Sequence, residues 1–232
     1  VISNTESRID CYQTSIDIDA NMSSGNAPLS YVWTNDDQEI ISTDAAFALS
    51  QGGAIMLLVT NTGNGCTANA SIQITEDTQA PVISFNPVDQ LTCMENEVDV
   101  ESIVTGNNNS FVYTWSGPSA NSIVSAADTE SVTVDAVGEY TLLVQDQING
   151  CQSTAIIQVE EDRELPTLNI ASVDELNCVT ETVTIDASAS SIGDEFDYTW
   201  AGSSILNGEN SPAIDVDSPG PYRLHVLNTL TG

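Results

Sequence analysis

The sequence contains one unit three times, and this repeat constrains the fold more than any other feature. The same spacing separates a cysteine from a tryptophan in each copy, and a tyrosine precedes each tryptophan by two residues: Cys11, Tyr31 and Trp33; Cys93, Tyr113 and Trp115; Cys178, Tyr198 and Trp200. A period of about 80 residues is too long for a solenoid repeat and is typical of a chain of independent domains. We therefore predict three domains, over residues 1–80, 81–165 and 166–232.

A second group of markers follows each tryptophan. Copies two and three carry a Gly-x-Tyr motif, and copy one has isoleucine in place of the tyrosine: Gly138–Tyr140, Gly220–Tyr222 and Gly53–Ile55. At one fixed distance beyond it, copies one and two read Asn-Gly-Cys, ending at Cys66 and Cys151, and copy three reads Thr231-Gly232. We expect the parent protein to have a cysteine at the next position, and the third domain to lack its last strand here.

Alternation of apolar and polar residues predicts β-strands throughout. Half-buried strands are predicted where the period is two: residues 15–19, 30–33, 98–100, 111–115, 182–186 and 196–200. Each copy has about seven such short segments, as an immunoglobulin-like sandwich requires. The fold class predicted is all-β, with three tandem Ig-like β-sandwich domains, the third truncated, and these core aromatic residues: Trp33, Trp115, Trp200, Tyr140 and Tyr222.

The cysteines predict an oxidising compartment. A domain of about 80 residues buries only a small core, so a covalent cross-link is expected. The 5 cysteines recur at equivalent positions, which favours disulfides over free thiols in a cytosolic protein. Among the pairings open to them, Cys11–Cys66 and Cys93–Cys151 repeat within copies and leave Cys178 with a partner beyond the chain end. Each such bond would contribute on the order of 4 kcal/mol.

The strongly negative net charge limits which molecules the protein can bind. Asp and Glu number 34 against 3 Lys and Arg, for a net charge of -31. Such a surface repels nucleic acid and anionic membranes. No apolar run is long enough for direct membrane insertion. The acidic surface suits solubility or the binding of divalent cations.

The sequence predicts no required cofactor, and Ca²⁺ is the one ion for which it contains candidate ligands. One acid recurs at the same distance after each first cysteine, and further acids lie at the domain junctions: Asp19, Glu101 and Asp186; Glu76, Asp77, Glu161 and Asp162. Hard cations prefer such oxygen ligands, although no Asp-x-Asp-x-Asp-Gly loop is present. Acids that simply face water are the alternative interpretation.

No catalytic site is predicted. The single histidine, His225, alternates with Leu224 and Val226, so it faces outward from its strand and is not placed as a catalytic base. No pair of carboxylates stands out from the acidic background, and histidine is too scarce for a zinc site. The sequence therefore predicts a protein that is not an enzyme.

The motifs resemble a known class of repeat. Asn149-Gly150-Cys151, Gly138 to Leu142, Tyr198-Thr199-Trp200, Ile185 to Ser188 and the shared Glu-Asp-x-x-x-Pro junctions look like tandem immunoglobulin-like or PKD-like repeats of large cell-surface proteins of Bacteroidota. The resemblance spans the whole chain. It implies export by the type IX route, an extracellular, cell-surface location, and a part in adhesion, gliding or appendage building.

Three functions follow as hypotheses. In the first, the chain is a stalk or spacer in an adhesin, and its partners are other domains of the same long chain. In the second, it is a segment of an oligomeric surface filament or hook, and its partners are identical chains or other cell surfaces. A carbohydrate-binding module is the third.

Overall fold

The structure of the chain is a computed structural model that describes Ile2 and residues 7–232. Val1 and residues 3–6, at the start of the first predicted domain, lie outside the described part. The described residues form β-strands and turns. None of these residues forms a helix long and apolar enough to span a membrane.

Repeat 1 has two sheets. Its seven strands are β1 (Arg8–Asp10), β2 (Ile16–Asp19), β3 (Leu29–Thr34), β4 (Ile40–Ser42), β5 (Ala46–Leu49), β6 (Gly53–Asn61) and β7 (Thr67–Asp77). One sheet has the order β1-β7-β6-β3-β4, and β2 and β5 form the other. In β2, Ile16 and Ile18 are buried and Asp17 is exposed, because successive side chains point to opposite faces of a strand.

Repeat 2 shows the complete sandwich. Its strands are β8 (Val82–Phe85), β9 (Leu91–Thr92), β10 (Val98–Thr105), β11 (Phe111–Ser116), β12 (Ser131–Val134), β13 (Gly138–Asp146), β14 (Gln152–Val159) and β15 (Glu161–Asp162). Antiparallel sheets of order β12-β10-β8 and β11-β13-β14 enclose one core, while β9 pairs in parallel with β15. Strands β8, β10 and β12 in one sheet and β11, β13 and β14 in the other reproduce the immunoglobulin arrangement.

Repeat 3 follows the same plan with fewer strands. These are β16 (Val183–Asp186), β17 (Phe196–Ala201), β18 (Ile205–Asn207), β19 (Ala213–Val216) and β20 (Arg223–Asn228). Its sheets are β16-β19-β18 and β17-β20. Each repeat has its own cluster of buried side chains. The all-β, Ig-like fold is therefore confirmed, while the domain bounds at residues 80 and 165 stay a prediction.

The three tryptophans occupy equivalent places on β3, β11 and β17. Trp33, Trp115 and Trp200 are 0%, 4% and 5% exposed. Each indole N–H donates to a backbone carbonyl: to Asp44 at 2.8 Å, to Thr129 at 2.9 Å and to Ser211 at 2.9 Å. A buried indole needs such an acceptor. The repeated sequence spacing thus corresponds to one repeated packing arrangement.

The Gly-x-Tyr motif forms a tyrosine corner. The hydroxyl of Tyr140 donates to the carbonyl of Ala136 at 2.7 Å and lies 3.1 Å from that of Ser122. Tyr222 repeats the arrangement with the carbonyls of Ser218 at 2.8 Å and Ser204 at 3.2 Å. In repeat 1 the buried Ile55 takes this place. The corner fixes the turn that leads into β13 and β20.

Replacing Tyr140 by phenylalanine should destabilise repeat 2. The change removes the hydroxyl that donates to the carbonyl of Ala136, while the carbonyl of Ser122 keeps the N–H of Asp135 as a donor, so the expected loss is about 1 kcal/mol of unfolding free energy. Urea unfolding followed by tryptophan fluorescence measures the loss. Tyr113→Phe removes a hydroxyl in the same repeat and leaves the corner intact, so it is the control. Equal effects of the two changes would contradict the role of the corner.

The repeat junctions as the candidate functional site

The one disulfide of the described chain joins two repeats. Cys11 of repeat 1 bonds Cys151 of repeat 2, with a Cα separation of 5.0 Å and a sequence separation of 140 residues. Cys66, Cys93 and Cys178 are free and exposed. The predicted pairings Cys11–Cys66 and Cys93–Cys151 are therefore wrong.

The strand pairing explains this correction. β1 runs parallel to β7, and Asp10 lies opposite Asp77, the last residue of β7. Cys11 thus sits at the end of β7, whereas Cys66 immediately precedes its start. The 11 residues of β7 separate the two cysteines by about 35 Å, far beyond the reach of a disulfide. In repeat 2, β9 pairs with β15, which separates Cys93 from Cys151 in the same way.

Asp77 is the centre of polar contacts at this first junction. Its carboxylate accepts hydrogen bonds from the amides of Asn149 at 3.0 Å and Asn107 at 3.1 Å, both in repeat 2. The guanidinium of Arg8 pairs with it at 3.1 Å. The amide of Asn149 also donates to the carbonyl of Gln79 at 2.9 Å. One carboxylate at the end of repeat 1 therefore binds two separate loops of repeat 2.

These contacts lower the pKa of Asp77. The hydrogen bond from Asn149 is the largest cause and that from Asn107 the next; burial opposes them, and the charge of Arg8 and a backbone hydrogen bond add to the lowering. All of the favourable contacts stabilise the ionised carboxylate. The junction is accordingly built for the charged form of Asp77.

Backbone contacts complete the first junction. The N–H of Cys11 donates to the carbonyl of Asn149 at 2.9 Å. Gly150 has a positive φ of 75° and lies against the ring of Tyr12 so closely that a Cβ would come within 2.6 Å of it. Glycine is required there because a side chain would disfavour the positive φ and would clash with the Tyr12 ring. The Asn-Gly-Cys motif is thus a docking motif between repeats.

The second junction lacks this polar network. The positions of Asn107 and Asn149 are occupied by Ile192 and Thr231 in repeat 3, so the amide donors have no counterpart. Arg163, next to this junction, donates to the carbonyl of Thr92 at 3.2 Å and pairs with Glu161 at 3.5 Å, and both of these partners belong to repeat 2 itself. The polar network is therefore specific to the first junction.

The candidate calcium ligands are dispersed. Asp19 is the last residue of β2. Asp186 is the last residue of β16, and its carboxylate accepts a hydrogen bond from the N–H of Ser188. Glu101 lies in β10, and its carboxylate accepts a hydrogen bond from the side-chain amide of Asn86. Glu76 accepts from the N–H of Gly52, Glu161 pairs with Arg163, and Asp162 lies in β15. Across Ile2 and residues 7–232, no three His, Cys, Asp or Glu side chains form a group that could hold a metal. Calcium binding at these positions stays a prediction.

Sequence reasoning missed Arg8, Asn107 and Asn149. Arg8 is one of only 3 cations against 34 acids, and this scarcity is the signal in the sequence that could have drawn attention to it. Asn149 is visible as part of Asn-Gly-Cys, but that local motif does not identify its partner Asp77 in repeat 1. His225 is exposed on β20, as alternation predicts.

An open apolar cleft of about 890 Å³ lies in repeat 3. Its walls include Leu176, Val183, Trp200 and Tyr222. Leu91, the equivalent of Leu176 in repeat 2, is fully buried, whereas Leu176 is only partly buried at the wall of this cleft.

Comparison with known proteins gives structural neighbours only. No family model and no curated protein matches the chain. Three N-terminal domains of the Hoc capsid protein of bacteriophage RB49 align at 15% identity over 99% of this chain and 93% of that one, with a TM-score of 0.36. An I-band fragment of titin aligns at 11% identity, covering 92% and 87%, with a TM-score of 0.42.

An eight-domain fragment of Down syndrome cell adhesion molecule gives 11% identity and a TM-score of 0.42, with 88% of this chain aligned to 31% of that one. This chain thus spans about a third of that fragment. All three are tandem-domain proteins. The function of this chain rests on its own residues.

A peptide map without reduction tests the disulfide. Digestion of the oxidised protein should give one cross-linked pair of peptides carrying Cys11 and Cys151, and reduction should raise the intact mass by about 2 Da, the value for one bond. A pair carrying Cys11 and Cys66 would overturn the assignment.

Acid should weaken the first junction through Asp77. Its folded pKa is depressed, so the stabilisation is complete above about pH 4 and is lost as the pH falls through the lowered value. Asp77→Asn should cost about 1 kcal/mol at neutral pH, and this difference from the wild type should shrink in acid. Urea titrations at several pH values measure it.

Asp162→Asn, at the equivalent position of the second junction, is the matched control. It should show a smaller cost at neutral pH, because the two amide donors of the first junction have no counterpart there. A gap between wild type and Asp77→Asn that stays constant down to pH 2 would contradict the role of the carboxylate.

Proposed function

We propose that the chain is a non-catalytic spacer segment of a long extracellular protein, in which covalent and polar contacts fix successive Ig-like domains relative to one another. The observation that carries this proposal is the Cys11–Cys151 bond between repeats. A disulfide within a domain stabilises that domain. A disulfide between domains limits their relative motion, which is useful to a stalk that must span a distance.

The location follows from the same bond. A structural disulfide persists in an oxidising environment, so its presence supports export from the cytoplasm. The resemblance of the motifs to repeats of Bacteroidota supports a large surface protein exported by the type IX route. In that setting the segment holds a distant adhesive or assembly domain away from the cell.

The polar contacts support stiffness rather than ligand binding. Asn107 and Asn149 both donate to Asp77, so these polar groups are used for contacts within the chain. The net charge of -31 keeps neighbouring stalks apart, since like-charged surfaces repel. Calcium at the acidic junctions stays a prediction.

Small-angle X-ray scattering tests the spacer role. The oxidised wild type should behave as one elongated particle, and Cys11→Ser should broaden the distribution of interatomic distances because repeats 1 and 2 become free to bend. Cys66→Ser, which removes an exposed free thiol, should leave the profile unchanged. Identical profiles for wild type and Cys11→Ser, or binding of this chain in a glycan screen, would contradict the proposal.

A further inference from the structure

Each repeat presents a first cysteine on the same kind of turn. The residue before the cysteine accepts hydrogen bonds from the following N–H groups: Asp10 from Tyr12 and Gln13, Thr92 from Met94 and Glu95, and Asn177 from Val179 and Thr180. We call residues 10–13, 92–95 and 177–180 the cysteine turns. They are local structures that form in the same way whether or not the cysteine is bonded.

Each repeat also presents a second recurring shape, the turn that follows β6, β13 or β20. The N–H of the glycine donates to the residue four positions earlier in all three: Gly65 to Asn61 at 2.8 Å, Gly150 to Asp146 at 2.8 Å and Gly232 to Asn228 at 2.7 Å. The φ values of these glycines are 74°, 75° and 96°. We call residues 61–66, 146–151 and 228–232 the hairpin turns.

The second junction repeats the docking of the first. At the first, the hairpin turn 146–151 lies on the cysteine turn 10–13, and the two are bonded. At the second, the N–H of Met94 donates to the carbonyl of Thr231 at 3.1 Å. A Cβ built on Gly232 would lie 3.1 Å from the Cβ of Cys93 and 2.5 Å from the Met94 side chain. Gly232 therefore faces Cys93 and Met94 as Gly150 faces Tyr12 beside Cys11.

We propose that the cysteine turn 92–95 is a covalent attachment site for a cysteine placed directly after Gly232, which bonds Cys93 and not Cys178 of its own repeat. The rule is that the first cysteine of one repeat bonds the second cysteine of the next. By the same rule, Cys178 would bond the second cysteine of a repeat placed after this segment, and Cys66 would bond the first cysteine of a repeat placed before it.

The chemistry is ordinary disulfide formation. The thiolate of one cysteine attacks a mixed disulfide on the other, as in exchange with oxidised glutathione, and the protein bond forms as one reduced glutathione leaves. Two protein thiols are oxidised, and one glutathione disulfide is reduced to two thiols. Cys93 is exposed and free to enter this exchange.

This inference goes beyond the spacer role and rests on different contacts, those of the second junction. It predicts that a string of such repeats is linked twice at every junction, once by the backbone and once by a disulfide. A cut in the backbone within one repeat would then leave the string joined.

The test adds one residue. The full chain extended by a cysteine after Gly232 is equilibrated in a glutathione redox buffer and mapped without reduction. The new cysteine should bond Cys93 in roughly tenfold or greater excess over Cys178, because the docked turn raises their effective concentration. Peptides cross-linked to Cys178, or a new cysteine that stays free, would overturn the proposal.

Two matched variants make the result specific. The same extension with Cys93→Ser should leave the added cysteine free or bound to glutathione rather than moved to Cys178. An extension with serine should leave Cys93 free and the Cys11–Cys151 bond unchanged. That bond serves as the internal standard for folding in every sample, so a failed extension and a misfolded chain give different maps.

Discussion

The parallel pairing of a short early strand with the last strand of its repeat determines the covalent structure of this protein. In repeat 1, β1 runs beside the end of β7, and in repeat 2, β9 runs beside β15. A parallel neighbour carries the following cysteine past the end of the domain. The hairpin turn, with the second cysteine, lies at the opposite end of the same sandwich. The two cysteines of one repeat are therefore too far apart to bond, and each lies at the end of the sandwich where a neighbouring repeat can contact it.

The domain cores do not need a disulfide. Each tryptophan and its acceptor carbonyl hold the centre of the sandwich, and the tyrosine corner fixes the turn in repeats 2 and 3. In antibody domains a bond between the sheets shares that task. Here the cysteines lie outside the core clusters, and the Cys11–Cys151 disulfide links two repeats. Stability within repeats and rigidity between them are thus separate properties.

The fold could be predicted from the sequence, and the junction could not. Period-two alternation and the spacing of Trp33, Trp115 and Trp200 report local strand structure and burial, so strands and core followed directly. Cysteine pairing depends on which strand end each residue reaches, which needs the parallel register of β1 with β7. The repeat spacing is equally compatible with bonds inside repeats and between neighbours. Asn107 reaches Asp77 only through the fold, so no local pattern identifies it.

The most direct measurement is the length released when a single molecule is pulled from its two ends. With Cys11 bonded to Cys151, the sequence separation of 140 residues stays closed, so reduction should add about 500 Å of extended chain. The added length should appear as one block spanning both repeats 1 and 2. Two shorter blocks, each confined to one repeat, would show bonds within repeats and contradict the account.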